Sequence, residues 1–123
     1  MRLTEAQQER YARHLLLDEL GGEGQERLLS SCVHVRGTGR AARWAARYLA
    51  ASGIGALVLD DPAAAVECRQ LSPEARIFSP ADLDPRPDLD LDVGASALAA
   101  SRESPAELGA MAALRALRQL GRP

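Results

Sequence analysis

A glycine-rich turn and a pair of carboxylates are the residues of this sequence whose types and spacing suggest chemistry. The turn, from Gly37 to Ala42, has the pattern G-x-G-x-x-A, in which glycine lets the backbone approach a phosphate closely. Asp60 and Asp61 follow Gly37 at close to the roughly 20 residues that are typical of a ribose-binding carboxylate. Gly37, Gly39, Asp60 and Asp61 are therefore candidate nucleotide-binding residues.

These four residues also have a structural interpretation. The two glycines ease the packing of a helix against a strand whether or not a phosphate binds. The two aspartates could equally be solubilising charges at the end of a strand. The glycine pattern is weak when taken alone, so its surroundings must decide between the two interpretations.

Other polar residues receive no catalytic role. Arg40, Arg43 and Arg47 share one face of a predicted helix, and this spacing favours a solvent-exposed stripe over a binding site. His14 and His34 have no convergent partners in the sequence. We therefore assign neither histidine to a catalytic mechanism.

The turn must be positioned by the elements on either side of it. Residues 32–36 predict a buried strand, and residues 40–52 predict a helix in which Trp44 and Tyr48 lie one turn apart. Residues 56–61 predict a second strand. The order strand, glycine turn, helix, strand is that of a βαβ dinucleotide-binding unit.

The remaining elements are less sharply marked. Residues 4–17 predict a first helix with a capping box, and residues 23–30 predict a second, short helix with both leucines of 28–29 facing inward. Residues 62–70 are compatible with a single helical turn or a loop. Residues 75–79 predict a short third strand.

The C-terminal part of the chain predicts a strand and a helix. Residues 88–93 alternate aspartate with apolar residues, so we expect a fourth strand at a sheet edge or with its aspartates facing a cleft. Ser104, Pro105 and Glu107 form a strong helix start, and the helix runs to Leu120. Its predicted buried stripe comprises Leu108, Met111, Leu114 or Ala112, and Leu117.

Composition narrows the function classes. The chain has 123 residues, is 46% hydrophobic and carries a net charge of -2, so nothing points to nucleic acid or a membrane surface as a partner. No segment is predicted to be a membrane span or a secretory signal, and we expect a cytoplasmic protein. Cys32 and Cys68 stand alone, which argues against a zinc site. The sequence contains no lysine, which excludes any mechanism that needs a lysine on a triphosphate.

Residues 3–17 and 21–29 resemble the opening of the ThiF/MoeB adenylyltransferases, the prokaryotic relatives of ubiquitin-activating enzymes. The resemblance continues through residues 33–61 and returns more weakly at 71–77 and 108–117. It implies ATP-dependent adenylation of the C-terminal carboxylate of a small ubiquitin-like carrier, with magnesium and several cations around the phosphates. It also implies a homodimer and a chain roughly twice as long.

Some of the family's functional positions are matched. Arg13 falls on the arginine that reaches across the dimer into the partner's ATP site. Gly37 and Gly39 fall on the glycine turn, and Asp61 falls on the first acidic residue after the second strand. We therefore add Arg13 to Gly37, Gly39, Asp60 and Asp61 as a candidate nucleotide-binding residue.

Other positions of the family pattern are lost. The second acidic position falls on Ala63, and the loop before the family's arginine is shortened to a remnant at Arg69-Gln70. The family's magnesium-directing aspartate falls on Ala95. No lysine is present for the catalytic position, and both zinc-binding cysteine pairs are absent, so no catalytic residue and no metal ligand is assigned.

We expect an α/β fold: a shortened Rossmann-like domain with a mostly parallel sheet of about four strands, helices on both faces and an N-terminal helical extension. One domain would span residues 1–123, divided into the extension (1–31), the βαβ unit (32–61) and a reduced C-terminal half (62–123). The carboxyl ends of its neighbouring strands would bring the glycine turn and the two aspartates together.

Three functions follow as hypotheses. The first is a degenerate, non-catalytic relative that dimerises with itself or with a full-length homologue, or binds a ubiquitin-like carrier. The second is a small adenylyltransferase in which arginine replaces the family's lysine, with ATP and magnesium as cofactors. The third is a nucleotide sensor without chemistry. We favour the first, because several losses fall within one ATP site.

Overall fold

The computed structural model describes residues 21–82, 84–94 and 104–121. The helices are α1 (residues 21–29), α2 (Arg40–Ala51), α3 (Pro62–Leu71) and α4 (Pro105–Gly121), and the strands are β1 (Cys32–Arg36), β2 (Ala56–Leu59), β3 (Arg76–Phe78) and β4 (Leu89–Asp92). The predicted first helix, with Arg13, and the position of Ala95 lie outside the described residues. No helix among the described residues is long and apolar enough to cross a lipid bilayer.

The four strands form one parallel sheet in the order β3-β2-β1-β4. Val33 of β1 pairs with Leu57 of β2 on one side and with Leu89 of β4 on the other. The strand order reverses between β1 and β4, which is where α/β proteins of this topology place their ligands. The predicted fold class, an α/β Rossmann-like fold with a four-stranded parallel sheet, is confirmed.

Alternation along β1 and β2 divides the buried residues into two groups. Val33, Val35, Leu57 and Leu59 are fully or almost fully buried in a core that also contains residues of α2, α3 and α4. Cys32, Ala56 and Val58, which alternate with these residues along the two strands, form a smaller cluster against which Phe78 packs. Each fully buried aliphatic side chain contributes roughly 1.5–3 kcal/mol, so the larger group supplies most of the stability that the sheet gains by burial.

The sequence predicts a single helical turn or a loop over residues 62–70, whereas α3 is a helix of 10 residues. Asp61 is its N-cap: the carboxylate oxygen Oδ1 accepts hydrogen bonds from the N–H groups of Ala63 (2.9 Å) and Ala64 (3.3 Å). Pro62 follows at the first helical position, where its missing N–H is not needed. The helix buries only Ala64 and Cys68, which is why its apolar periodicity is weak in the sequence.

The predicted faces of α1 and α4 are partly wrong. Leu28 is buried but Leu29 is 63% exposed, because consecutive helical residues point about 100° apart and cannot both face the core. In α4, Leu117 is buried as expected, whereas Met111 is 46% exposed. The buried face of α4 is made mainly of small residues: Gly109, Ala112, Ala113 and Ala116.

Small residues let α4 lie unusually close to α2. A Cβ atom placed on Gly109 would be 2.6 Å from the Cβ of Trp44, 2.7 Å from the carbonyl oxygen of Ala41 and 2.8 Å from the amide nitrogen of Ala45. Two of these three atoms belong to the backbone and cannot rotate away. The contact between the two helices therefore depends on the absence of a side chain at Gly109.

We predict that Gly109→Ala lowers the free energy of unfolding by about 1–3 kcal/mol, the usual penalty for overpacking a tight contact. Gly22→Ala is the matched control, because a Cβ at that helical position meets nothing within 4 Å. We expect it to leave stability unchanged or to raise it by up to about 1 kcal/mol. Urea unfolding measures both changes, and equal effects of the two substitutions would contradict the packing argument.

Candidate nucleotide-binding site

The glycine turn follows β1 and meets the backbone that follows β4. Gly37 and Gly39 have φ angles of 102° and 106°, a region that residues with a side chain rarely adopt. A Cβ on Gly37 would lie 2.6 Å from the Cα of Gly94, so the two backbone segments are in contact. This contact lies where the strand order reverses, as expected for the mouth of a ligand cleft.

The two aspartates after β2 bind the turn directly. Oδ2 of Asp60 accepts a hydrogen bond from the N–H of Gly37 at 2.8 Å, and Oδ2 of Asp61 accepts one from the N–H of Gly39 at 2.9 Å. The structure therefore brings together Gly37, Gly39, Asp60 and Asp61, the four described members of the predicted set. Two N–H groups that could have faced a phosphate are already bonded to carboxylates of the chain itself.

His34 connects the turn to β4, a contact that the sequence did not predict. Its Nε2 lies 2.6 Å from Oδ1 of Asp60, and its Nδ1 lies 3.3 Å from Oδ1 of Asp90. The contact with Asp60 is a hydrogen bond, and the contact with Asp90 lies within ion-pair distance. A continuous polar chain thus runs from Gly37 through Asp60 and His34 to Asp90.

The missing information was the strand order. Asp90 belongs to the alternating segment that predicts a strand at a sheet edge or with its aspartates facing a cleft, and His34 lies in the middle of β1. The register pairs His34 with Asp90, and β2 lies on the other side of β1. If the sequence had shown that β4 pairs with β1 in this register, the contact between His34 and Asp90 could have been predicted.

The pKa of Asp60 lies below the ordinary value of an aspartate. Partial burial alone would raise the pKa, but the hydrogen bond from Gly37, the hydrogen bond and charge of His34, and the charge of Arg36 together outweigh it. The ionised carboxylate is the form that binds the turn.

Cys32 and Cys68 are buried free thiols. Burial raises the pKa of Cys68 to about 11, with a further contribution from the neighbouring carboxylate of Glu67. Burial also raises the pKa of Cys32. Neither group is activated as a nucleophile or as a metal-binding thiolate.

The ATP and magnesium implied by the resemblance can be compared with these residues. The open backbone at Gly39, where an added Cβ would meet nothing within 4 Å, fits the close approach of a phosphate. The carboxylates of Asp60 and Asp61 do not, because they occupy the amide donors of the turn and place negative charge beside them. Within the part of the chain that the structure describes, no three His, Cys, Asp or Glu side chains are grouped so that they could hold a metal ion. The turn in this arrangement does not fit a magnesium-bound triphosphate.

We predict that the cost of Asp60→Asn depends on pH. Since the pKa of Asp60 is lowered in the folded protein, its contribution to stability is complete above the unfolded pKa of about 3.9 and is lost as the pH falls through the folded value. The variant should therefore be less stable than wild type at pH 7, and the difference should shrink below about pH 4.

Urea unfolding at several pH values between about 7 and 3 measures this difference. Glu74→Gln, at an exposed position, is the control for loss of a carboxylate and should show little pH-dependent difference. A constant penalty for Asp60→Asn across the whole range would show that its charge does not stabilise the turn.

Comparison with known proteins agrees with this fold. Residues 11–83, more than half of the chain, match the sequence profile of the ThiF family. The SAMP-activating enzyme E1 of Haloferax volcanii is 52% identical over 59 residues, which are 48% of this chain and 22% of that protein. The sulfur carrier protein ThiS adenylyltransferase of Escherichia coli is 48% identical over 52 residues, 42% of this chain and 21% of that protein.

The matched segments thus span about a fifth of the length of these relatives. Among solved structures, the E. coli tRNA N6-threonylcarbamoyladenosine dehydratase TcdA superimposes with a TM-score of 0.55 over 76% of this chain and 53% of that one. At 20% identity this similarity concerns the fold alone. On the family match, which includes the glycine turn and both aspartates, the chain belongs to the ThiF family.

Proposed function

We propose that this chain is a partner-binding member of the ThiF family that does not itself adenylate a carrier protein. The proposal is carried by one observation: Asp60 and Asp61 occupy the N–H groups of Gly37 and Gly39. An incoming triphosphate would have to displace both carboxylates. It would also have to approach their negative charges at a turn that offers it fewer free donors.

The residue types near the turn support the same conclusion. Adenylyl transfer concentrates negative charge on the phosphates, and the catalyst must match that charge with cations. The sequence has no lysine for this purpose, and an arginine's rigid fork is a poor replacement for a compact ammonium group. Ala63 stands at the second acidic position, where its N–H serves only to cap α3 through Asp61.

The proposed partner is a protein of the same activation system. The relatives described above are named as enzymes that activate SAMP or adenylylate the sulfur carrier ThiS. We propose that this chain pairs with itself or with a full-length adenylyltransferase of that kind, and that a ubiquitin-like carrier is a further candidate partner. Arg13, matched to the arginine that crosses the family dimer, would then enter the partner's ATP site. We propose that this pairing takes place in the cytoplasm.

We predict that the purified chain catalyses no ATP–pyrophosphate exchange above background, alone or with ubiquitin-like carriers that end in Gly-Gly. The physical reason is the occupied turn together with the missing lysine. Incorporation of labelled pyrophosphate into ATP measures the exchange, and a full-length ThiF-family enzyme with its own carrier is the positive control. Carrier-dependent exchange by this chain would refute the non-catalytic assignment.

We predict that the chain forms a mixed dimer with a full-length ThiF-family enzyme from the same organism, and that Arg13→Ala changes the enzyme's exchange rate in the mixture. Arg10→Ala, one turn earlier on the same predicted helix, is the matched control and should leave the rate unchanged. Sedimentation velocity measures the dimer. A chain that stays monomeric alone, with the enzyme and with carriers would rule out the partner-binding proposal.

A further inference from the structure

A cavity of about 250 Å³ lies on α2 and α3, and it is lined by Arg40, Arg43, Trp44, Arg47 and Glu67. The three arginines were expected from the sequence to form a solvent-exposed stripe. Arg40 and Arg43 are exposed as expected and Arg47 is half-buried, and all three line one cavity together with a tryptophan and a single carboxylate. None of the residues of the glycine turn site, Gly37, Gly39, Asp60 or Asp61, lines this cavity.

Contacts within the cavity hold two of the arginines in place. The carboxylate of Glu67 lies 3.5 Å from a terminal nitrogen of Arg43 and 3.2 Å from Nε of Arg47. The guanidinium carbon of Arg47 also lies 4.8 Å from the centroid of the Trp44 ring, a cation–π contact. Arg47 therefore contacts both the carboxylate and the tryptophan ring.

The charges in the cavity do not balance. Three guanidinium groups face one carboxylate, so the lining carries two more positive than negative charges, whereas the whole chain has a net charge of -2. Within the described ranges, no carboxylate forms an ion pair with Arg40. An anion could bind to Arg40 and share Arg43 with Glu67.

We propose that this cavity binds a phosphoryl oxyanion such as phosphate or pyrophosphate. The guanidinium fork matches the tetrahedral oxygens of a phosphoryl group with two parallel hydrogen bonds. The cavity volume of about 250 Å³ is below the roughly 300–1,000 Å³ of sites that enclose drug-sized ligands, which favours a small anion over a whole nucleotide. Glu67 is the internal competitor, because the anion must draw Arg43 away from it.

The experiment uses a reporter that the chain already carries. Trp44 is the one tryptophan of the sequence, so all tryptophan fluorescence comes from a residue that lines this cavity. Pyrophosphate, phosphate and AMP are titrated into the full chain at constant ionic strength, with chloride as the reference anion. We expect a saturable change with pyrophosphate and phosphate and none with chloride.

Three variants test the assignment of the site. Arg40→Gln should weaken pyrophosphate binding by about tenfold, the loss expected for one charge-assisted interaction. Arg115→Gln removes the same charge from an exposed position on α4 and should change the affinity by less than about twofold. Glu67→Gln should tighten binding, because the competing carboxylate is gone and both of its arginines are released.

The relative affinities for phosphate and AMP show whether the ligand is a free phosphoryl anion or the phosphate of a larger molecule. Equal affinities for phosphate and AMP identify the free phosphoryl group as the ligand, and tighter binding of AMP that is lost in Arg40→Gln identifies the phosphate of a larger molecule. The proposal is overturned by the absence of a saturable fluorescence change. It is also overturned by equal effects of Arg40→Gln and Arg115→Gln, or by weaker or unchanged binding in Glu67→Gln.

Discussion

Two hydrogen bonds, each from a backbone amide to a side-chain carboxylate, hold together the end of the sheet at which the glycine turn lies. Asp60 and Asp61 leave β2 and bind the N–H groups of Gly37 and Gly39, so the ends of β1 and β2 are tied to each other. The other carboxylate oxygen of Asp61 caps the N-terminus of α3, and the other carboxylate oxygen of Asp60 is hydrogen-bonded to His34. One pair of side chains therefore sets the position of the turn, of a helix and of the link towards β4.

Negative and positive side chains lie at different places around α2. Carboxylates accumulate at the turn that precedes this helix, while guanidinium groups accumulate in the cavity that Arg40, Arg43 and Arg47 line beside α3. An anion that approaches this part of the molecule meets repulsion at the turn and attraction along the helix. The two proposals made for this chain, a turn that rejects a triphosphate and a cavity that accepts a small oxyanion, are thus two effects of one charge distribution.

Local sequence patterns predicted the elements in which apolar residues form a continuous run or recur with the period of a helix. The buried strand β1 and the helix α2 follow directly from apolar runs and periodicity, and the convergence of the turn with Asp60 and Asp61 follows from the parallel order of β1 and β2. The contacts of His34 could not be predicted, because they depend on which strand lies beside β1. Helix α3 was underestimated, because its N-cap and proline define it more strongly than its two buried residues do. The exposure of Met111 depends on how closely α4 approaches α2, which no local pattern encodes.

Strand β4 is an edge of the sheet among the described residues, and its charges affect how the protein behaves in a crowded solution. Its apolar residues are half-buried, while Asp90 and Asp92 point to the exposed side. A strand from another molecule that tried to extend the sheet here would have to pack beside these carboxylates, which is a common protection against aggregation. Self-association by strand addition is therefore disfavoured at this edge.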